Sequence, residues 1–449
     1  MLKNGFYNVI AGLFRAGLSF VSIPILIHLM GVEEYGVWAL VSSVLGFVTV
    51  AEVGLPVSAT VFVSQDLARK DKKGLSETLT VTVGGILLLA TTGALLLFIG
   101  SGILVQWFPK LETLQQQTVT QSLKIGSIAL WAQLVQQVFI GVEQAYQQYK
   151  LMSVLNTLQW VICILGWMIL AWSGGKTLAL AQWQAVTSVG SLLGHFTIVG
   201  YLINPQTIKP MWNTNRGIEI ARYSFVSWVT TLGRAIFMKG DRLIVGSILG
   251  ANKLAIYATF FEISGAINLF SALIIQPLIP TISYLINEPN VDQSILKNQV
   301  KKAFNINCIV SIFLGILLLL FAPTIVKSII PAAFSKANIY NFRTAIFINT
   351  LVSLNATGYW ILFGIKAVNQ SALIQISFGI LTLILINIGA THLGLWGATI
   401  GNFGYIGTLI LPIIALKKIN ISASLLLSWL KLPILLFLVI SLLSITIFI

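Results

Sequence analysis

Charged side chains are scarce in this chain: 27 bases and 13 acids make up 9% of 449 residues, against 57% hydrophobic residues. Ordinary soluble domains carry roughly a quarter charged residues, so a water-covered surface cannot be made from this composition. Cysteine is scarcer still. Cys163 and Cys308 stand singly inside apolar segments, without the paired spacing that zinc or dithiol chemistry needs, and read as buried packing groups. Also absent are a Walker-type phosphate loop, an H-E-x-x-H pair and a zinc-spaced cysteine set. Long loops are missing as well. The longest polar connectors fall near residues 204–217 and 287–302, which leaves no room for an extramembrane catalytic domain and excludes energy from ATP hydrolysed by this chain. The N-terminus has one lysine and runs directly into an apolar stretch without a small-residue cleavage site, so it reads as a retained first span.

What the chain does have is a succession of apolar runs, each long enough to cross roughly 30 Å of hydrocarbon at 1.5 Å per residue. The roughly ten-residue alternation of barrel strands is absent, and helices satisfy their own backbone groups in lipid. The predicted fold is therefore an all-α polytopic membrane protein. Spans are expected near 5–30, 37–64, 78–107, 119–145, 150–173 and 178–203, then near 218–249, 253–286, 303–330, 339–365, 370–390 and 394–416. This gives an N-terminal lobe over residues 1–203, a connector over 204–217 and a C-terminal lobe over 218–416. Residues 417–449 form an extension whose apolar run from 425 to 449 is long enough to be a thirteenth helix.

Orientation follows from the loop cations. Lys3, Arg69, Lys70, Lys72, Lys73, Lys150, Lys209, Arg216, Lys297, Lys301, Lys302, Lys366, Lys417 and Lys418 fall on one side; Lys110, Lys176, Lys253 and Lys336 fall on the other, with Lys327 near a span end. The first side, which includes the N-terminus, is predicted cytoplasmic. The formal net charge of +14 is thus mostly a topology signal, with some attraction to anionic lipid, and does not indicate nucleic acid.

The halves resemble each other. HLMGVEEYGVWA from His28 aligns with SILGANKLAIYA from Ser247 at an offset of 219 residues, and the same offset pairs Gly31 with Gly250, Trp38 with Tyr257, Ala39 with Ala258 and Arg15 with Arg234. Six spans return the chain to its starting side, so the repeat is parallel and predicts two bundles related by an axis along the membrane normal, with a site near mid-depth. On the first span Asn4, Asn8, Gly12, Arg15, Ser19 and Ser22 recur at steps of three and four residues and so share one helical face. The offset carries this stripe to Ser227, Thr231, Arg234, Met238 and Asp241 on the seventh span, followed by Arg242, with Lys239 close by. An arginine at the bilayer centre costs at least about 2.5 kcal/mol to insert, and such residues face a bundle interior, water or a partner. Arg15 lies about 11 residues into its helix, roughly 16 Å at helical rise, too deep to snorkel readily.

Glu52, Glu143, Asp241 and Glu262 are the acids within or near spans. Glu52, Asp241 and Glu262 are expected either to bind a coupling ion, H+ or Na+, or to form internal ion pairs with the arginines. Gln133, Gln136 and Gln137 on the fourth span, and Gln184, Ser188, Ser191 and His195 on the sixth, add polar faces whose commoner use is interhelical hydrogen bonding. His195, with no second histidine or suitably spaced carboxylate in sequence, is not a metal site. No cofactor is expected.

KNGFYNVIAGLFRAGLSFVSIPILIHLMGVEEYGVWAL at the start, VAEVGLPVSATVFVSQDLARKDKKG after it, and KGDRLIVGSILGANKLAIYAT in the second half resemble the Wzx-type polysaccharide and O-antigen repeat-unit flippases of the multidrug/oligosaccharidyl-lipid/polysaccharide exporter superfamily. The resemblance extends in order and spacing to about residue 416 and lacks an invariant catalytic signature. It implies a MATE-like pair of six-helix lobes in a bacterial inner (plasma) membrane. These would move a polyprenyl-diphosphate-linked oligosaccharide from the cytoplasmic to the outer leaflet by alternating access, alongside polysaccharide assembly proteins. Directional, charge-assisted hydrogen bonds from arginine suit phosphate oxygens. Arg15, Arg234 and Arg242 would then bind the substrate, with Lys239 and Asn8 assisting. Competing readings are a cation-coupled multidrug exporter, whose cavity should favour acids, a lipid II flippase with the same kind of diphosphate carrier, and a membrane polysaccharide polymerase or glycosyltransferase. The last would need a substantial outer loop.

Overall fold

The computed structural model describes residues 2–48, 54–203, 209–275, 293–365, 367–422 and 424–425, and the described residues contain no strand. In chain order the helices are α1 (Leu2–Met30), α2 (Val32–Val48), α3 (Leu55–Ala68), α4 (Lys72–Gln106), α5 (Thr113–Ala145), α6 (Tyr149–Trp172), α7 (Thr177–Leu202), α8 (Thr214–Ile275), α9 (Gln293–Ile329), α10 (Lys336–Ser353), α11 (Ala356–Gly364), α12 (Val368–Gly401) and α13 (Ile410–Lys418). Short 3-10 turns at Pro331–Ala333 and Asn402–Leu409 precede α10 and α13. Among the described residues, eight helical stretches are long and apolar enough to cross a membrane. The second predicted span is divided into α2 and α3: Gly54 adopts a left-handed conformation (φ 67°) immediately before α3, which opens at Leu55 with Pro56 in its first turn. The tenth is divided between α10 and α11. Residues 426–449, where a thirteenth helix is expected, lie outside the described residues.

The chain divides into two compact units, residues 1–252 and 253–449. In the first, α5 is the central helix, packed against α2, α3, α4, α6 and α7. Its composition explains its place. The best apolar window of α5 has a mean hydropathy of 1.5, against 2.2 for α4, and in a lipid solvent the more polar helix belongs inside. On α4, Leu88, Leu95, Leu96, Ile99 and Ile103 stay exposed, as a lipid-facing surface should. Close approach to α5 is made possible by Gly141, where a Cβ would lie 2.5 Å from the Pro56 carbonyl oxygen of α3.

The second unit has a polar core of its own. Ser264, Asn268 and Ser271 lie on one face of α8 beyond its break. Asn268 donates to Asn349 Oδ1 at 2.6 Å, Asn349 donates to Ser264 Oγ at 2.9 Å, and Ser271 hydrogen-bonds Asn307. Both Ser271 and Asn307 also donate to the Ser353 carbonyl at 3.1 Å. Each such bond satisfies a polar group that has no water to turn to, so these amides fasten α8, α9 and α10 together.

The sequence repeat has a backbone counterpart. α1 ends at Gly31 with φ 87°, and α8 breaks at Gly250 with φ 79°. Positive φ also occurs at Gly174 between α6 and α7, 86°, and at Gly394 inside α12, 62°. A left-handed residue reverses the chain tightly between two spans, and an L side chain there costs about 1–2 kcal/mol. Gly31→Ala meets nothing within 4 Å, whereas a Cβ at Gly250 would lie 3.2 Å from Lys110 Cβ. We expect Gly31→Ala to lower stability by about 1–2 kcal/mol and Gly250→Ala by more. The thermal unfolding of the two purified variants checks this order, and equal midpoints would contradict it.

Candidate functional site

α1 is one continuous helix, so Asn8, Gly12, Arg15, Ser19 and Ser22 share a face of a single element. The side chains of Asn8 and Arg15 lie outside the described residues, as do those of Arg234 and Lys239 on α8; Glu52 lies outside them altogether. The described end of each stripe is buried. Ser22, 5% exposed, donates to the carbonyl of Ser19 in its own helix at 2.7 Å, and its repeat counterpart Asp241 is 8% exposed. Asp241 and half-buried Arg242 are both engaged in interactions and belong to the first unit. Glu262, also engaged, follows the Gly250 break and belongs to the second. Arg343 on α10, only 3% exposed and engaged, is a buried cation that the repeat did not single out.

The structure assembles two ionic clusters whose members the sequence shows only separately. The first joins the root of α8 to α3 and α4. Arg216 Nη2 donates to Asp66 Oδ1 at 2.6 Å, its Nε donates to Thr78 Oγ1 at 3.1 Å, and its Nη1 donates to Glu219 at 3.0 Å. Thr78 donates onward to Asp66 Oδ2 at 2.6 Å. Asn213 donates to Glu77 at 2.9 Å, the Met211 amide donates to Thr80 at 2.9 Å, and Ser58 and Ser224 share a 2.6 Å hydrogen bond two turns further along α8. The guanidinium also lies 4.7 Å from the centroid of the Phe62 ring. Burial pulls the Arg216 pKa down, but the hydrogen bonds and charges of Asp66 and Glu219 outweigh it and hold the group above the ordinary arginine value. Sequence reasoning took Arg216 as a topology cation. The signal it passed over is an acid, Asp66, standing just before the basic run from Arg69 to Lys73.

The second cluster is on the interface of α5 and α7. Nδ1 of His195 lies 2.7 Å from Oε1 of Glu143, and both side chains are wholly buried. Higher along the same helices Gln133 donates to Ser188 at 3.0 Å, and Gln136 reaches Gln159 and Asn156 of α6 at 3.1 and 3.4 Å. Glu143 and His195 stand in different spans 52 residues apart, which is why periodicity alone did not pair them. Their common depth was the available clue, since each lies in the C-terminal third of its helix. A buried carboxylate against an imidazole can hold or pass a proton, and an arginine fork on a carboxylate can fix one helix to another. Among the described residues no group of three or more His, Cys, Asp or Glu is placed to hold a metal ion.

Comparison with known proteins agrees with this architecture. Over 303 residues, 66% of this chain and 71% of the relative, the chain is 20% identical to the "Putative O-antigen transporter" of Shigella flexneri. It superposes on an inward-facing multidrug resistance MATE family transporter of the MOP superfamily with a TM-score of 0.77, at 16% identity, over 93% of this chain and 98% of that one. It superposes on the lipid II flippase MurJ in an inward closed conformation with a TM-score of 0.72, at 15% identity, over 99% and 97%. At such identities the likeness establishes the shared fold. Residues 1–286 match the family described as "Polysaccharide biosynthesis protein", and since this is well over half of the sequence, the chain belongs to that family of multi-pass membrane proteins.

Proposed function

We propose that this protein is a flippase that carries a polyprenyl-diphosphate-linked oligosaccharide repeat unit from the cytoplasmic to the outer leaflet of a bacterial inner membrane by alternating access. The observation that carries the reading is the recurrence of an intramembrane arginine at one repeat position, Arg15 and Arg234, on polar stripes of the first and seventh spans. A diphosphate needs cationic, directional donors, whereas a cavity for cationic drugs needs acids. Arg242 and Lys239 extend the cationic stripe on α8, and Asn8 adds a neutral donor on α1. The family match and the absence of a catalytic constellation support transport and not enzymatic turnover. In this reading, residues 1–203 and 218–416 are the alternating lobes.

The test uses the full chain in proteoliposomes containing a polyprenyl-diphosphate-linked oligosaccharide with a fluorescent sugar. Membrane-impermeant quencher reports the leaflet. We expect protein-dependent transfer of the labelled sugar across the bilayer, and no export of a loaded cationic dye. Dye export without movement of the oligosaccharide would replace this reading with the multidrug exporter, and movement of lipid II alone would replace it with the lipid II flippase.

A further inference from the structure

Transport against a gradient needs a coupling ion, and the polar interior of the first unit offers a place for one that lies outside the arginine stripes. Glu143 and His195 are each 0% exposed, and the only hydrogen bond either side chain makes among the described residues is to the other. Glu143 Oε2 and His195 Nε2 are buried and have no hydrogen-bond partner there. A pair fixed for structure alone would be expected to satisfy its second oxygen and second nitrogen, since an unsatisfied buried polar atom is costly. Each member instead keeps one atom free for a proton or for a water that delivers it.

The surroundings select which state of the pair survives burial. A bare carboxylate beside a neutral imidazole would leave one uncompensated negative charge inside the unit, and buried unpaired charge is strongly disfavoured. One additional proton makes the pair electrically neutral. Retention in the dry state and release on hydration are the properties a coupling proton requires.

Other ionisable groups on the helices packed against α5 and α7 are committed elsewhere or exposed. On α2, Glu33 accepts from Gln115 and Glu34 accepts from the Thr177 amide, at the opposite ends of α5 and α7. Asp66 of α3 is held by Arg216 and Thr78, and Glu77 of α4 accepts from Asn213. Lys72 and Lys73 of α4 and Lys150 of α6 are exposed, as are Lys124 of α5 and Tyr201 of α7. Tyr35, Tyr146, Tyr149 and Cys163 complete the set, and none of them is bonded to the pair. A route to it is laid out by spacing. Gln184, Ser188, Ser191 and His195 share one face of α7, and Gln133, Gln136 and Glu143 share one face of α5. Along these faces Gln184 Oε1, Ser191 Oγ and Gln136 Oε1 are buried without a hydrogen-bond partner, polar atoms of the kind that ordered water serves.

We propose that Glu143 and His195 form a proton-binding site in the first unit and that the proton they exchange drives transport, the second part resting on the flippase reading above. Nitrogen-15 spectra of the imidazoles in the full chain in nanodiscs test the site without any substrate; the Glu143→Gln and His195→Gln variants give the assignment. At neutral pH we expect the pair to hold one extra proton, seen either as both ring nitrogens of His195 protonated or as a protonated Glu143 carboxyl in an infrared difference spectrum against Glu143→Gln. A singly protonated ring together with an ionised Glu143 carboxylate would overturn the site. The transport arm imposes a pH gradient of one unit, acidic outside, on proteoliposomes holding a polyprenyl-diphosphate-linked oligosaccharide. One proton per cycle can raise the outer-to-inner ratio of the substrate at steady state up to about tenfold. Both variants are expected to keep substrate-driven flipping and lose this response; a retained response in both would overturn the coupling role. Absence of flipping by the wild type itself would instead count against the flippase reading and leave the spectroscopic result standing.

Discussion

Replacing Arg15 or Arg234 with alanine is expected to reduce transport of a lipid-linked oligosaccharide by about 10–100-fold for each single variant, and to background in the double variant. The magnitude follows from what is removed. A hydrogen bond to a charged group contributes about 1.5–3 kcal/mol, and in a site of low dielectric the arginine fork also supplies the countercharge for the diphosphate. Insertion should not suffer. An arginine at the bilayer centre opposes insertion by at least about 2.5 kcal/mol, so alanine eases entry of both helices into the membrane. The measurement pairs the flipping rate with the amount of protein in the membrane fraction. Unchanged flipping in both single variants would remove these residues from the binding role. Lysine at either position should recover only part of the activity, because a point charge cannot reproduce a two-pronged contact with phosphate oxygens.

Much of the fold was legible in the sequence because a lipid solvent makes apolar length a direct measure of architecture. The helices that cross, the short turns between them and the repeat all follow from spacing, and Gly31 and Gly250 have left-handed backbone at the two positions that the 219-residue offset aligns. The burial of α5 follows from its glutamines and serines, which sequence reading noticed without ranking the helices by depth. Breaks inside predicted spans were less legible. Gly54 and Pro56 sit in VAEVGLPVSA, an apolar stretch that hydropathy averages over, yet left-handed backbone at Gly54 separates α2 from α3.

Side-chain partners across distant segments were the least legible part of the candidate site. Periodicity reports which residues share a face of one helix and says nothing of which helix that face meets. Glu143 was visible as an acid near a span end and His195 as a lone histidine, and only the packing of α5 on α7 makes them a pair. Arg216 was absorbed into the positive-inside count, and its partner Asp66, 150 residues away, was passed over. Ser22 and Asp241, which the 219-residue offset aligns on α1 and α8, are both buried.

Replacing Arg216 with alanine is expected to destabilise the first unit by about 3–5 kcal/mol, the cost of removing one partner from a buried ion pair. Asp66 is 3% exposed on its side chain and Arg216 14%, so the stranded group is the carboxylate, which among the described residues would keep only the hydroxyl of Thr78 as a donor. The reverse change, Asp66→Asn, should cost less, because Arg216 retains Glu219 and some access to water. Lysine at position 216 keeps the charge and loses the fork that reaches Asp66, Thr78 and Glu219 together, and should fall between. Thermal unfolding of the purified proteins gives the order, and a double-mutant cycle over Asp66 and Arg216 isolates the coupling between them. A local reading comes from cysteine placed at the buried Ser224, whose hydroxyl meets Ser58, since both native cysteines are buried. Loss of the Arg216 fork should free the root of α8 from α3 and α4 and expose that thiol to a water-soluble reagent. An Arg216→Ala protein that melts with the wild type and keeps position 224 protected would show that the fork fastens nothing.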